Sequence, residues 1–119
     1  MNFYLRNKNE KGYTIIYIGG SLGYDGACKL NELVNNELNS GVNKIVLNLE
    51  DLKLIASYAL SVILKISYNI KKKNGYFAII CPEGNVWDVF YVLELYKVIP
   101  FFESEEKFWE NEKKQQGLS

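Results

Sequence analysis

Apolar positions along the chain switch between two spacings, and each switch marks an element. Phe3 to Leu5 is short and strand-like, and Asn7 to Gly12 reads as a polar turn. Tyr13-Thr14-Ile15-Ile16-Tyr17-Ile18 is β-branched and aromatic and stops at Gly19-Gly20, which predicts a strand and, with the segment before it, an antiparallel hairpin. From Asp25 to Leu38 the spacing becomes helical, with Ala27, Leu30, Leu33, Val34 and Leu38 on one face, Asp25 as N-cap and Gly41 just past the end. Lys44 to Leu49 reads as a buried strand. Ser57 to Lys73 is a second helix: Ala59, Leu60, Ile63, Ile66 and Ile70 face inward, and Ser57, Tyr58, Ser61, Lys65, Tyr68 and Lys72 lie opposite. Tyr76 to Ile80 is another buried strand.

After the loop Pro82-Glu83-Gly84-Asn85, a third helix turns Val86, Val89, Phe90 and Leu93 inward. Val98 to Phe101 predicts a short edge strand, where Pro100 is tolerated. Ser104 caps a last helix with Glu105 and Glu106 in its first turn and Lys113 and Lys114 near its end, in the sense the helix dipole favours. Strands and helices alternate through short connections after the hairpin. That predicts a layered α/β domain, with about four helices on a mostly parallel sheet. One domain spans residues 1–114, and residues 115–119 are expected to fray.

Composition narrows the chemistry. In 119 residues, 14 Lys and Arg balance 14 Asp and Glu, and there is no histidine. A net charge of zero argues against a dedicated nucleic-acid partner, whose affinity comes largely from phosphate neutralisation. Without histidine there is no Ser-His-Asp or Cys-His catalysis and no imidazole metal ligand. Carboxylates are scattered, and Gly19-Gly20 lacks a phosphate-loop pattern. The chain therefore reads as no enzyme, with no cofactor and no metal. Cys28 and Cys81 are far apart and read as two small buried thiols. The N-terminus lacks a signal-peptide h-region, and the longest uncharged apolar stretch, Leu54 to Leu64, is well short of the ~20 residues of a membrane span. The expectation is a cytoplasmic protein with no membrane insertion.

A set of motifs carries a resemblance. Gly20-Ser21-Leu22-Gly23 follows the second strand, Leu47-Asn48-Leu49 ends the next, and Ala56-Ser57-Tyr58-Ala59-Leu60 opens the second helix. Gly75 to Pro82 forms a strand and turn, and Val86 to Phe102 includes Leu95 and Pro100. Over nearly its whole length the chain resembles the STAS domains, the family of bacterial anti-sigma factor antagonists and of the cytoplasmic tails of sulfate transporters. The resemblance implies a protein-binding regulatory module in partner switching and transcription regulation. Its partner is an anti-sigma factor or related kinase-like protein. Its surface is built from Leu22, Gly23, Tyr24, Ser57, Tyr58 and Ser61.

The departures from the family pattern concern the switch. The family's hallmark is Asp-Ser-Ser-Gly-Leu, and its second Ser accepts phosphate from the partner kinase. Tyr58 stands there, Ala56 replaces the Asp and Ala59 the Gly. Gly23 replaces the Asp of the first motif, and Glu94 a helix-ending Gly. The scaffold is retained while the phosphoacceptor is altered, so the hallmark is expected not to be phosphorylated. Ser57 is either a remaining hydroxyl acceptor or, the preferred reading, the N-cap of the second helix.

Other features have plain structural readings. Trp87 and Tyr91, four apart, are either a partner-binding patch or packing under the last helix through Phe108 or Trp109. Lys71-Lys72-Lys73 answers a helix dipole, and Glu103, Glu105 and Glu106 read as a solvated first turn. The alternatives to partner switching are a STAS-like adaptor subunit of a membrane transport system and small-ligand binding at the same helix terminus.

Overall fold

The computed structural model describes residues 2–117. In chain order the elements are β1 (Tyr4–Glu10), β2 (Tyr13–Leu22), α1 (Tyr24–Asn39), β3 (Lys44–Asn48), β4 (Leu52–Ile55), α2 (Ser57–Lys72), β5 (Tyr76–Ile80), α3 (Asn85–Val92), a single 3-10 turn at Leu95–Lys97, β6 (Phe101–Phe102) and α4 (Glu105–Gly117). The strands form one sheet in the order β1-β2-β3-β5-β6, and β4 pairs with the far end of β2. β1 and β2 are antiparallel, with Leu5 opposite Ile18. The remaining pairs are parallel, and Leu47 lies opposite Ile79. The hairpin and the parallel sheet therefore stand as the hydrophobic pattern predicts.

Parallel strands are buried on both faces, and this explains their continuous apolar runs. Ile16, Ile18, Ile45, Leu47, Phe77 and Ile79 point to the side covered by α1, α2 and α3. Their alternates Tyr13, Ile15, Val46, Ala78 and Ile80 point to the other side, under α4. Phe108 of α4 is completely buried there and meets the Tyr13 ring edge-on at 5.3 Å. Truncating such a ring to Ala costs about 3–5 kcal/mol.

Several boundaries differ from the pattern. β1 extends through Asn7, Lys8 and Asn9, which the polarity assigns to a turn; the reversal is confined to Lys11 and Gly12, both at positive φ. An edge strand needs no apolar alternation when the partner backbone holds it. β4 is absent from the sequence reading. The N-cap of α1 is Gly23, not Asp25, which sits in the first turn. Leu93 is exposed rather than inward, because α3 stops at Val92 and Glu94 takes a left-handed conformation. The expected strand at Val98 to Phe101 is shorter and later: the 3-10 turn precedes it, and Ile79 and Cys81 donate backbone hydrogen bonds to Pro100 and Phe102. α4 continues past Gln115 to Gly117; Leu118 and Ser119, the end of the expected frayed tail, lie outside the described residues. Cys81 is buried as expected, but Cys28 is exposed, on the outer side of α1.

The Glu105 carboxylate is not a solvated one. It accepts hydrogen bonds from Tyr17 Oη at 2.7 Å, Asn48 Nδ2 at 3.0 Å and Trp109 Nε1 at 3.0 Å, with Lys8 Nζ at 3.7 Å. Burial pushes this carboxyl up, but the hydrogen bonds from Tyr17, Trp109 and Asn48, with Lys8 nearby, hold it below its ordinary value. It ties the start of α4 to β1, β2 and β3. Ser104 caps the same helix as predicted, its Oγ accepting from Lys107 N at 3.2 Å.

Candidate functional site

The sheet positions a site at the carboxyl ends of its parallel strands, where β2 and β4 deliver the chain into α1 and α2. The end of β2 is bent at Gly20, whose φ is +81° and where a Cβ would lie 1.5 Å from the Asn2 carbonyl oxygen. Gly20 N–H donates to Asp51 O at 3.0 Å, and Tyr4 Oη donates to the Asp51 carboxylate at 2.6 Å, so β1 and the β3–β4 turn fix this bend. Two residues later Leu22 O accepts from Ala56 N at 2.9 Å. That bond holds the starts of α1 and α2 side by side.

Neither helix start has a side-chain cap. Gly23 is the N-cap of α1 and Ala56 that of α2, and no side-chain hydrogen bond closes either end. Ser57 is the first residue of α2 and exposed, so its expected role as N-cap is corrected: the cap position falls one residue earlier, on a side chain with no oxygen. Both termini thus leave backbone N–H groups and the positive dipole end facing outward.

Two rings stand beside these ends, one on each helix. Tyr24 is 62% and Tyr58 45% exposed, and their centroids lie 4.6 Å apart with the planes tilted by 42°. The Cys28 thiol, one turn along α1, lies beside both. Hydrogen bonding with Cys28 raises the Tyr24 phenol above its ordinary value, and the charge interaction with Cys28 does the same to Tyr58. Both phenols are therefore protonated at neutral pH. Ser61 is exposed and donates from Oγ to Tyr58 O at 2.6 Å, one turn back along α2. A cavity of 210 Å³ between the helices is lined by Cys28, Asn31, Tyr58, Ser61, Val62 and Lys65.

Of the six residues expected to form the surface, five are brought together: Gly23, Tyr24, Ser57, Tyr58 and Ser61. Leu22 is not among them. Its side chain is completely buried in the core under α1 and α2 because the alternation along β2 turns it inward. Of the two readings for the aromatics of α3, packing under the last helix is overturned. Trp87 packs against Phe101 at 5.3 Å and near Tyr91 and Tyr96, on the face of the sheet away from α4. It therefore does not pack under Phe108 or Trp109. Cys28, a buried thiol by its residue type, is instead an exposed site residue.

Among the described residues no group of three or more His, Cys, Asp or Glu is placed to hold a metal ion. Among them, no helix is long and apolar enough to cross a membrane.

Comparison with known proteins bears on the family and the fold. A Thermotoga maritima protein whose name places it among the anti-sigma factor antagonists is 34% identical over 67 residues, which cover 56% of this chain and 59% of that protein. A crystal structure of a T. maritima protein of the same name superposes with a TM-score of 0.83 at 28% identity, covering 90% of this chain and 92% of that one. The unphosphorylated form of the anti-sigma factor antagonist SpoIIAA superposes with a TM-score of 0.73 over 94% of this chain and 98% of that one; at 17% identity this likeness concerns the fold. The STAS domain model matches residues 4–108, and the chain belongs to that family.

Proposed function

We propose that this chain is a protein-binding component of a partner switch, acting in the cytoplasm as an anti-sigma factor antagonist and performing no catalysis. Its partner is an anti-sigma factor or a related kinase-like protein. The observation that carries this reading is the exposed Tyr24–Tyr58 pair beside two uncapped helix starts. Tyrosine supplies large contact area with few rotatable bonds and is enriched at protein interfaces. The outward N–H groups of Ser57 and its neighbours offer donors to an acidic or carbonyl-rich partner surface.

In this reading the interface is not switched by phosphate at the hallmark. A phosphate there would add about −1.5 to −2 charge at a docking surface, which is how such a site serves as a switch. Here the equivalent position holds a ring tilted against a neighbouring ring, and Ala56 supplies no carboxylate beside it. A kinase site shaped for serine does not readily admit a phenol at that point. Ser57 offers a hydroxyl one residue away, at a different angle on the helix.

The test is affinity capture from the native cell with the wild-type chain and with Tyr24→Ala/Tyr58→Ala. The reading predicts that the wild type retains a protein with a kinase-like ATPase domain and that the double variant loses it. Retention of a membrane transport component instead would overturn it.

A further inference from the structure

We propose that a second site, at the opposite edge of the sheet from the tyrosine pair, binds a methylated ammonium head group. A cavity of 170 Å³ opens where β5 and β6 end, lined by Cys81, Glu83, Trp87, Phe101, Phe102 and Glu103. Three of these six are aromatic and two are carboxylates, and no lysine or arginine is among them. The volume is below the roughly 300–1,000 Å³ of pockets that take whole drug-sized ligands. It suits a head group instead.

The shape and the charge select the same chemistry. The Trp87 and Phe101 rings meet at 67° with centroids 5.3 Å apart, which makes a corner, not a parallel slot. A corner fits a rounded group better than a flat ring. Methylated ammonium spreads its charge over apolar methyls that rest on ring faces without loss of a tight hydration shell. An anion meets two carboxylates, and a small hydrated cation must shed water against aromatic walls. Cys81 does not compete as a charge, since burial pushes its thiol up to about 11. Lys107 Nζ lies 3.4 Å from Glu103 Oε1, and Lys53 lines an adjoining cavity with Cys81 and Glu83; the Lys107 and Glu103 side chains are largely exposed, and a pair of that kind contributes little.

The carboxyl ends of parallel strands are the usual ligand end of such sheets. The site lies at the same end as the tyrosine pair but shares no residue with it. It stands independently of the partner-switch reading.

The experiment titrates the full chain with tetramethylammonium and follows the indole N–H signals by NMR. Trp87 reports on the site, and Trp109, on α4 beyond the sheet, is the internal reference. The expected result is a saturable shift of Trp87 and none of Trp109. Glu83→Gln/Glu103→Gln, which changes two exposed side chains and leaves the core intact, should weaken binding roughly two- to tenfold. Dimethylbutanol, the uncharged isostere of choline, should bind more weakly than choline by a similar factor. Parallel titrations with choline and a trimethyllysine peptide distinguish a free ligand from a protein side chain as the source of the head group, and tighter binding of either upholds the site. An unsaturating response, an equal shift at Trp109, or equal affinity for the isostere would overturn the proposal.

Discussion

The Tyr24 and Tyr58 rings, 34 residues apart in sequence, lie 4.6 Å apart across the starts of α1 and α2. Neither belongs to the core. What brings them together is the backbone bond from Ala56 N to Leu22 O, which fixes one helix start beside the other. The pair is thus a surface feature built on a rigid support. If the two rings act as one contact, Tyr24→Ala and Tyr58→Ala should each weaken partner binding about tenfold or more, in the range of aromatic hot spots. Stability should move by less than ~0.5 kcal/mol, as for exposed positions. Calorimetric titration and urea unfolding of each variant check the two halves. A large loss of stability would mean that the rings serve the fold.

Leu22 provides the contrast. It precedes Tyr24 by two residues but is completely buried. Leu22→Ala should cost about 2–5 kcal/mol in denaturant unfolding, as for core leucines. At temperatures where the variant remains folded, it should bind the partner with near wild-type affinity. Strong loss of binding in the folded variant would restore Leu22 to the interface.

Ser57→Ala should be nearly silent in stability, within ~0.5 kcal/mol. A true N-cap serine would cost ~1 kcal/mol, but that position is occupied by Ala56. Ala56→Ser is the informative companion. It places an oxygen at the cap of α2 and should stabilise the protein by about 0.5–2 kcal/mol in the same urea series.

Glu105 gives a pH dependence with a definite sign. Its folded-state pKa lies below the ordinary 4.5. The unfolded chain therefore takes up the proton first as pH falls. The stabilisation is present in full above 4.5 and is lost on acidification through the lower, folded-state pKa. Glu105→Gln should lose part of the hydrogen bonding from Tyr17, Asn48 and Trp109, at a cost of about 1–3 kcal/mol near neutral pH. It should also flatten the acid limb of the stability profile. An unchanged acid limb would show that the carboxylate does not anchor α4.

These residues also mark what could be read from the sequence. The strands β2, β3 and β5 and the helices α1 and α2 were legible because each repeats an apolar spacing long enough to be unambiguous. β4 was not. Leu52-Lys53-Leu54-Ile55 has four residues, two of its side chains point to solvent, and it runs straight into the apolar face of α2. Nothing local marks it; it exists because β2 outlasts β3 and offers an unpaired edge. The polar half of β1 was hidden for a related reason, since its pairing is with backbone.

At the site, the helix start at Ser57 and the exposure of Tyr58 followed from the pattern. The exposed Cys28 did not, because it depends on how α1 rotates about its axis when it packs, and the inward Leu22 did not, because the pattern stops the strand at Gly19-Gly20 whereas β2 bends there and continues to Leu22. Glu105 reads as solvated in the sequence because its partners are remote there: Tyr17, Asn48 and Lys8 lie on three strands that only the folded sheet brings to one carboxylate.

The proposed partner surface is one that phosphate does not switch. The most direct measurement is a calorimetric titration of the chain with its kinase-like partner, made before and after incubation of the two with ATP and magnesium. The chain recovered afterwards is mapped for phosphate by mass spectrometry. The expected result is the same affinity in both titrations and no phosphate on Ser57 or Tyr58. Stoichiometric phosphate on either residue with loss of binding would contradict it.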